Sequence, residues 1–250
     1  MNPPKALPHL SVSADIDVAP GVGVVATTDR PPPASRAHVP EAPTARGYRM
    51  AKRTLDIGAS SIGLVVLSPV LAGIAVAVRL DSPGPILFRQ ERLGLAGRPF
   101  ACFKFRTMHV ASDESAHRRH VSRLIRENEA EEGTWLPIER DARVTRLGAV
   151  LRRSHLDELP QLLNILRGEM SLVGPRPAIP YEVELYQPWH LARLAVKPGL
   201  TGLWQVSAWG KLSFDEGVRL DLDYIERRSF ALDVKIVLRT IWQIVTGRQF

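Results

Sequence analysis

The sequence predicts an α/β fold, namely a compact, mostly helical domain with short strands that follows an apolar helix broken near its centre. Three observations predict it: an uncharged 22-residue run at 57–78, two short aromatic-rich segments after it, and an amphipathic stretch near the C-terminus. With 45% hydrophobic and 24% charged residues, the composition is that of a folded chain. It excludes a wholly disordered, collagenous or polytopic membrane protein.

Residues 1–46 are predicted to form a disordered, proline-rich tail. Nine of the 20 prolines lie in the first 50 residues, and no aromatic residue precedes Tyr48. Such a segment cannot bury enough apolar surface to offset the entropy that ordering would cost.

The apolar run 57–78 would extend roughly 33 Å as a helix, which is enough to cross a bilayer. Basic residues flank it on both sides, so both ends prefer the cytoplasm. Pro69 removes a helical hydrogen bond, and the Ser68 hydroxyl can satisfy the freed carbonyl. A kinked, re-entrant membrane helix satisfies both observations; the alternatives are a straight transmembrane helix and a buried core helix.

Residues 84–88 and 100–106 are predicted to be short strands, and the charge-dense segment 112–132 a solvated helix. His117 and His120 in that helix lack the companions of a metal site, which favours a surface role. Residues 233–247 are predicted to be an amphipathic helix with Val237, Leu238 and Ile241 on one stripe. That stripe either packs on the core or lies in the membrane interface with Trp242 near the headgroups.

Charge and cysteine content restrict the partners and the compartment. The formal net charge of +7 favours an anionic partner, which is a nucleic acid, a lipid surface or a phosphorylated small molecule. A single cysteine, Cys102, excludes an intramolecular disulfide framework and fits a reducing compartment. Neither a Walker A sequence nor GxGxxG is present, so a standard nucleotide site has no support.

Residues 140–177 have the densest functional pattern, because several arginines precede the acidic pair Asp157-Glu158. Guanidinium groups suit phosphate oxygens, and a carboxylate beside them would be kept ionised, as a nucleophile or a metal ligand requires. The structural alternative is that Ser154 and Asp157 form a helix-capping signature. Adjacent helical residues point about 100° apart, so the two carboxylates would have different roles.

Three motifs, at residues 104–108 (KFRTM), 154–177 (SHLDELPQLLNILRGEMSLVGPRP) and 197–206 (KPGLTGLWQV), occur in order. Together they resemble the bacterial sugar transferase family, the monotopic polyprenyl-phosphate phosphoglycosyl transferases. The resemblance implies a domain order of tail 1–46, re-entrant membrane hairpin 47–82 and catalytic domain 83–250, with amphipathic interface helices. It also implies a monotopic protein of the bacterial inner (cytoplasmic) membrane whose catalytic domain is on the cytoplasmic face.

The resemblance implies transfer of a sugar 1-phosphate from a UDP-sugar to undecaprenyl phosphate, with UMP as the leaving group. By position, Asp157 is the nucleophile that forms a covalent phosphosugar intermediate and Glu158 helps to bind Mg²⁺. Ser68-Pro69 forms the break in the membrane helix. The product would start exopolysaccharide, capsule or related glycan synthesis.

Basic residues in and near the three motifs are candidates for binding the substrate phosphates. The phosphate-binding candidates are Lys104, Arg106, Arg152, Arg153 and Arg176. Gln205 is a candidate substrate contact, and Trp204 either packs near a base or belongs to the core. Many relatives carry Gly-Arg after the third motif, where Lys211 is the candidate replacement here, and His155 stands where Ser or Thr is common.

Two other classes of function compete with this one. A noncatalytic membrane-anchored scaffold or binding protein would keep the fold without the chemistry, against which the intact motifs argue. A nucleic-acid-binding protein is suggested by the charge alone, and the apolar run argues against it. The sequence leaves open the transferred sugar, the glycan pathway, the oligomeric state and the role of the tail.

Overall fold

The computed structural model describes residues 46–110, 115–128, 141, 143–208 and 212–246, without the side chains of 116, 117 and 208. These residues belong to one compact unit. The predicted tail lies outside the described residues except for Arg46, at which the first helix begins. The boundaries at 82 and 83 stay predictions.

The apolar run forms two helices, α1 (Arg46–Val66) and α2 (Ser68–Asp81), whose axes are bent by 63°. Pro69 cannot donate to the carbonyl of Val65, and the Ser68 hydroxyl donates to that carbonyl instead at 2.8 Å. The predicted break and its serine compensation are confirmed. Among the described residues no single helix is long and apolar enough to span a bilayer, whereas this bent pair together meets that criterion.

The far end of this helical hairpin is exposed and apolar. Val65 is 74% exposed, and Ile62, Val66 and Val70 near the bend are exposed as well. Val76 and Leu80 are exposed further along α2. The bend contradicts the straight-helix alternative, and the exposed apolar side chains contradict the buried-helix alternative. The hairpin therefore presents to its surroundings an apolar surface that water does not favour.

The first half of α1 is instead held to the rest of the chain by polar contacts. Arg53 donates to two carbonyls in the last turn of α5 (Gln161–Arg167) at 2.7 and 2.8 Å. Buried Asp56 accepts from the Ser171 hydroxyl and from the backbone amide of Leu172, both at 2.9 Å. Because its beginning is fixed in this way, α1 has a defined direction relative to the domain.

A second polar cluster fixes the start of α1 to the C-terminal helices. Asp233 is fully buried and accepts from the hydroxyl of Tyr48, the ammonium of Lys52 and the hydroxyl of Tyr224, at 2.7 to 3.0 Å. Burial, followed by the charge of Asp233, raises the pKa of Tyr48 and of Tyr224, so both hydroxyls stay protonated donors.

The strands differ in part from the prediction. β1 (Leu87–Leu93) and β2 (Pro99–Phe105) form an antiparallel hairpin in register from Leu87 opposite Phe105 to Leu93 opposite Pro99. Residues 100–106 largely coincide with β2, but 84–88 overlaps β1 only at its end. Gly84 has φ +128°, a left-handed conformation that ends the loop after α2 before the strand can begin.

The remaining elements are mostly short helices. In chain order they are α3 (Ser115–Glu127), α4 (Arg146–Arg153), α5, β3 (Ser171–Val173), α6 (Pro180–Val183), β4 (Gly199–Thr201), α7 (Leu203–Ala208), α8 (Phe214–Arg227) and α9 (Phe230–Thr246). The described chain is thus mostly helical with short strands, as predicted.

β3 and β4 are parallel and bring the second and third sequence motifs together, with Ser171 opposite Gly199 and Val173 opposite Thr201. A Cβ on Gly199 or on Gly202 would overlap the backbone of Gly174. Glycine is therefore required for this close crossing of two backbones.

The helix predicted over 112–132 is α3, and the expectation of an entirely solvated helix is wrong. Val121, Leu124 and Ile125 are buried, and the first and last of these pack with Trp204 and Phe214. Its charged residues cover only the opposite face. The side chain of His117 lies outside the described residues, so the surface assignment of that histidine pair stays a prediction.

The C-terminal helix divides the predicted apolar stripe. Asp233 and Ile236 are buried, Val237 packs against the cluster that contains Ile236, and Gln243 donates to the carbonyl of Val206 at 3.0 Å. The apolar residues Leu238, Ile241, Trp242, Ile244 and Val245 are exposed. The alternative in which the stripe packs on the core therefore holds for Val237 but not for the exposed residues from Leu238 onward.

Candidate active site

The acidic pair, called the dyad below, lies in a tight turn between α4 and α5. His155 adopts a left-handed conformation (φ 54°), and Asp157 and Glu158 follow in a single 3-10 turn, Leu156–Glu158. α4 ends at Arg153, and the Ser154 hydroxyl donates back to the carbonyl of Val150 at 2.9 Å. The capping interpretation of Ser154 and Asp157 is wrong, because the next α-helix begins only at residue 161.

Lys104 from β2 reaches the dyad. Its ammonium lies 2.5 Å from Glu158 Oε1, and both side chains are about one quarter exposed. Burial alone would raise the pKa of Glu158, but the charge of Lys104 and its hydrogen bond outweigh burial and lower the pKa. Lys104 thus lies at the dyad, and its predicted contact with substrate phosphate stays a prediction.

Asp157 is the more buried member of the dyad, at 7% exposure. Burial raises its pKa, the neighbouring Glu158 adds to that effect, and Lys104 and Arg152 oppose it. Arg152 acts in the expected direction, towards the ionised form, but burial outweighs the nearby cations and raises the pKa. The dyad holds two carboxyls with opposite pKa shifts, and divergent shifts of this kind are typical of groups with different chemical tasks.

Arg152 connects the first motif to the dyad. Its Nε donates to the Thr107 hydroxyl at 2.9 Å, and the Thr107 carbonyl accepts from the backbone amide of Thr145 at 3.0 Å. A Cβ on Gly148 would overlap the backbone of Thr107, so glycine lets α4 approach. The end of β2 and the start of α4 thereby form one support beneath the turn.

Arg106, a predicted phosphate-binding candidate, is held at the end of α2. Its Nη2 donates to the carbonyl of Ser82 at 2.5 Å, to the Ser82 hydroxyl at 3.0 Å and to the carbonyl of Val78 at 3.1 Å. These partners lie at the end of α2. The buried guanidinium therefore fixes the hairpin to β2 and is not held at the dyad.

Arg176 stands between two prolines after β3. Its Nη1 lies 3.3 Å from Oε1 of the buried Glu182, which itself accepts from the amide of Ile179 at 3.0 Å. Burial opposes the charged form of Arg176, but Glu182 and Tyr186 together outweigh burial and raise the pKa of the guanidinium. The charge of Arg176 in turn contributes to the lowered pKa of Glu158, so the two groups interact electrostatically.

The other candidates are placed differently. Arg153 is exposed at the end of α4, and Lys211 lies outside the described residues. Gln205 donates to the carbonyl of Leu200 at 3.4 Å, and its buried Oε1 has no hydrogen-bond partner among the described residues. Trp204 is 2% exposed and packs against Gly217 and Phe214, so it has the core role.

Sequence reasoning missed four buried charged residues around Arg176, namely Arg92, Glu182, Arg193 and Asp221. Only Glu182 carries a local signal, since it stands three residues after Ile179 at the start of a short helix. The others lie on unremarkable charged stretches, and their burial follows from the tertiary fold.

The dyad suits a magnesium ion that is bound mainly through substrate. No cluster of three or more potential metal-ligating side chains (His, Cys, Asp or Glu) occurs in the described part of the chain. Mg²⁺ commonly uses only one or two carboxylates, together with phosphate oxygens and water. Glu158, with its lowered pKa, is a fitting oxygen donor, and Asp157 is its neighbour.

Comparison with known proteins agrees with this geometry. The exopolysaccharide production protein ExoY of Rhizobium meliloti is 41% identical over 202 residues, which are 80% of this chain and 87% of ExoY. The UDP-glucose:undecaprenyl-phosphate glucose-1-phosphate transferase of Caulobacter vibrioides is 43% identical over 207 residues (79% and 70%). The UDP-galactose-lipid carrier transferase of Erwinia amylovora is 41% identical over 197 residues, 77% of this chain but only 40% of that protein.

A sequence profile described as bacterial sugar transferase matches residues 47–247, which include α1, the dyad and both strand pairs. The match covers most of the 250 residues. The chain therefore belongs to the bacterial sugar transferase family.

Proposed function

We propose that this protein transfers a sugar 1-phosphate from a UDP-sugar to undecaprenyl phosphate, or another polyprenyl phosphate, and releases UMP. The observation that carries the proposal is the dyad, in which Asp157 is buried and Glu158 is paired with Lys104 at 2.5 Å. The name of the Caulobacter relative supports the same reaction class, and that of ExoY supports a part in exopolysaccharide production. We propose that the product starts the synthesis of exopolysaccharide, capsule or a related glycan.

The proposed chemistry has two displacements at the same phosphorus. A carboxylate oxygen of Asp157 attacks the β-phosphorus of the UDP-sugar, the bond from that phosphorus to the bridging oxygen breaks, and UMP leaves. A phosphate oxygen of the polyprenyl phosphate then attacks the phosphosugar and releases the Asp157 carboxylate. The product is a polyprenyl diphosphate sugar.

The surrounding cations fit such a reaction. Negative charge accumulates on the diphosphate as the carboxylate approaches, and fixed positive groups stabilise it. Lys104, Arg152 and Arg176 all act electrostatically on the dyad. Glu158 would hold Mg²⁺, which supplies further neutralisation of the phosphate charge when bound.

We also propose that the apolar end of the α1–α2 hairpin enters the bilayer as a re-entrant element and that α9 lies in the interface. The exposed apolar residues of both elements support this. Trp242 on α9 is of the type enriched at headgroup level. A monotopic protein on the cytoplasmic face could reach both a soluble nucleotide sugar and a membrane-embedded acceptor.

Vesicle flotation tests the membrane proposal. We expect the full chain to float with vesicles of phosphatidylethanolamine and phosphatidylglycerol. Replacing Val65 and Val70 by Asp, or Leu238 and Ile241 by Asp, should lower the bound fraction at limiting lipid at least about tenfold, because one buried charge costs about 2.5–3.5 kcal/mol. Asp at Leu191, which is partly exposed outside both elements, is the matched control. Detergent-free protein that stays monodisperse and does not float would contradict the proposal.

The reaction itself is tested by UMP release from protein in bilayer nanodiscs that contain undecaprenyl phosphate. A panel of UDP-glucose, UDP-galactose and UDP-N-acetylglucosamine covers the donor, since the relatives named for glucose and for galactose are similarly close. We expect release with at least one donor and its loss when EDTA removes Mg²⁺. Well-folded protein that releases no UMP from any donor would favour a noncatalytic scaffold.

A further inference from the structure

The backbone on each side of Arg176 is held by a donor at every carbonyl. Within residues 175–177, the carbonyl of Pro175 accepts from the Gly199 amide at 2.8 Å. The carbonyl of Arg176 accepts from Arg193 Nη2 at 3.4 Å, and that of Pro177 accepts from Arg92 Nη1 at 2.7 Å. Two of these three donors are arginine side chains from distant parts of the chain.

The Arg92 guanidinium is itself fixed. It is 6% exposed, and its Nε and Nη2 donate to Gln90 Oε1 at 3.0 and 2.5 Å. Burial and the nearby charge of Arg176 both disfavour its charged form and lower its pKa. Burying the Arg92 charge is costly, and its side-chain partner, Gln90 on the same strand, is neutral. Arg92 therefore contributes little to the stability of the fold by itself.

Arg193 is held more strongly. It is 4% exposed, its Nε and Nη2 lie 2.9 and 2.7 Å from Asp221 Oδ2, and its Nη1 donates to the Tyr186 hydroxyl at 2.9 Å. Asp221 and Tyr186 thus hold all three nitrogens of the Arg193 guanidinium, and Nη2 also points at the Arg176 carbonyl. Both guanidiniums therefore have fixed orientations.

Little rotational freedom remains for Arg176. The prolines on both sides fix their own φ, and Pro177 also restricts the backbone of the residue before it. The three accepted hydrogen bonds fix the carbonyl directions, and Glu182 orients the guanidinium at 3.3 Å. The guanidinium of Arg176 is thereby held in one place against Glu182, from which its charge acts on Glu158 of the dyad.

We propose that Arg92 and Arg193 are positioning residues, which act through the backbone of residues 175–177 to aim Arg176 at the diphosphate of the donor. The inference rests on the proposed function, because it assigns Arg176 a phosphate contact. Misplacing a charge by about 1 Å can cost about 100-fold in rate, so a small backbone shift at this segment should be visible in turnover.

A double-mutant cycle tests the proposal with the full chain in nanodiscs and UMP release as the readout. We expect Arg92→Lys to lower kcat/KM by about 10- to 100-fold, since Lys loses the fork to Gln90. In an Arg176→Lys background, Arg92→Lys should lower kcat/KM by less than about twofold. Arg92 acts through Arg176, and Arg176 is already altered in that background. A purely structural role would cost the same factor in both backgrounds.

The matched control is Arg89→Lys, an exposed arginine on the same strand that stacks on Phe103, and we expect less than a twofold change. If Arg92→Lys does not fold, Gln90→Met releases the Arg92 fork without removing the charge and enters the same cycle. Equal losses in both backgrounds, or no loss in a folded variant, overturn the positioning role. Wild-type protein without UMP release from any donor would instead refute the proposed function, and this inference with it.

Discussion

Replacing Asp157 by Asn should abolish sugar-phosphate transfer and leave a protein that melts no lower than the wild type. Asn has the same shape but is not a competent nucleophile towards phosphorus, and loss of a covalent nucleophile commonly costs on the order of 10⁴- to 10⁶-fold in turnover. UMP release in nanodiscs measures the first expectation. Thermal unfolding of the same preparation measures the second.

The stability result follows from the sign of the pKa shift. Burial raises the pKa of Asp157 above its ordinary value of 3.8. The stability that this group contributes is therefore fully present at pH below 3.8 and is lost as pH rises through the raised folded-state pKa. At pH 7, above the ordinary value, ionising this carboxyl costs more in the folded than in the unfolded protein, and Asn removes that cost. The gain in Tm should shrink as the pH is lowered towards 4.

The same shift predicts the pH dependence of turnover. Because the nucleophile must be ionised, the acid limb of kcat/KM should lie at higher pH than for an ordinary aspartate. Asp223→Asn on the partly exposed surface of α8 is the control and should change neither property. An Asp157→Asn variant that keeps transfer activity would remove Asp157 from the mechanism, and one that melts well below the wild type would contradict the burial argument.

Asp233→Ala should be the most damaging single change to stability. It leaves the ammonium of Lys52 and the hydroxyls of Tyr48 and Tyr224 without their shared acceptor in a buried site. Breaking a buried ion pair from one side costs about 3–5 kcal/mol. Denaturant unfolding of the full chain, monitored by tryptophan fluorescence, measures the loss.

The matched control is Asp223→Ala on α8, which removes a partly exposed i,i+4 pair with Arg227. Such a pair is worth about 0.3–0.5 kcal/mol, so the two aspartates should differ several-fold in effect. If Asp233→Ala unfolds within 1 kcal/mol of the control, the buried cluster does not hold α1 to the C-terminal helices.

The broken helix was predictable because its cause is local. Pro69 cannot donate and Ser68 can compensate, whatever surrounds them. The dyad was predictable for a similar reason, since its two carboxyls are adjacent in the chain. The predicted strand at 100–106 largely coincides with β2 because aromatic and β-favouring residues dominate there.

Nonlocal features were not predictable from one sequence. The pattern of α9 identifies an apolar stripe but does not say what covers it, and the contacts of Asp233, Ile236 and Gln243 with other elements leave most of that stripe exposed. Alternation along a strand puts Lys104 and Arg106 on one side, yet β2 ends at Phe105 and the Arg106 guanidinium is held at α2. The pairing of β3 with β4 likewise depends on the tertiary fold.

The crossing of Gly174 with Gly199 and Gly202 limits how this enzyme family can be rebuilt. Two backbones that touch without side chains between them require only that glycine is kept at these three positions. A chimaera with a relative should therefore fold through this crossing when both parents carry glycine there. It should lose the crossing when either exchanged segment, residues 171–177 or 199–205, brings a larger residue to one of these positions.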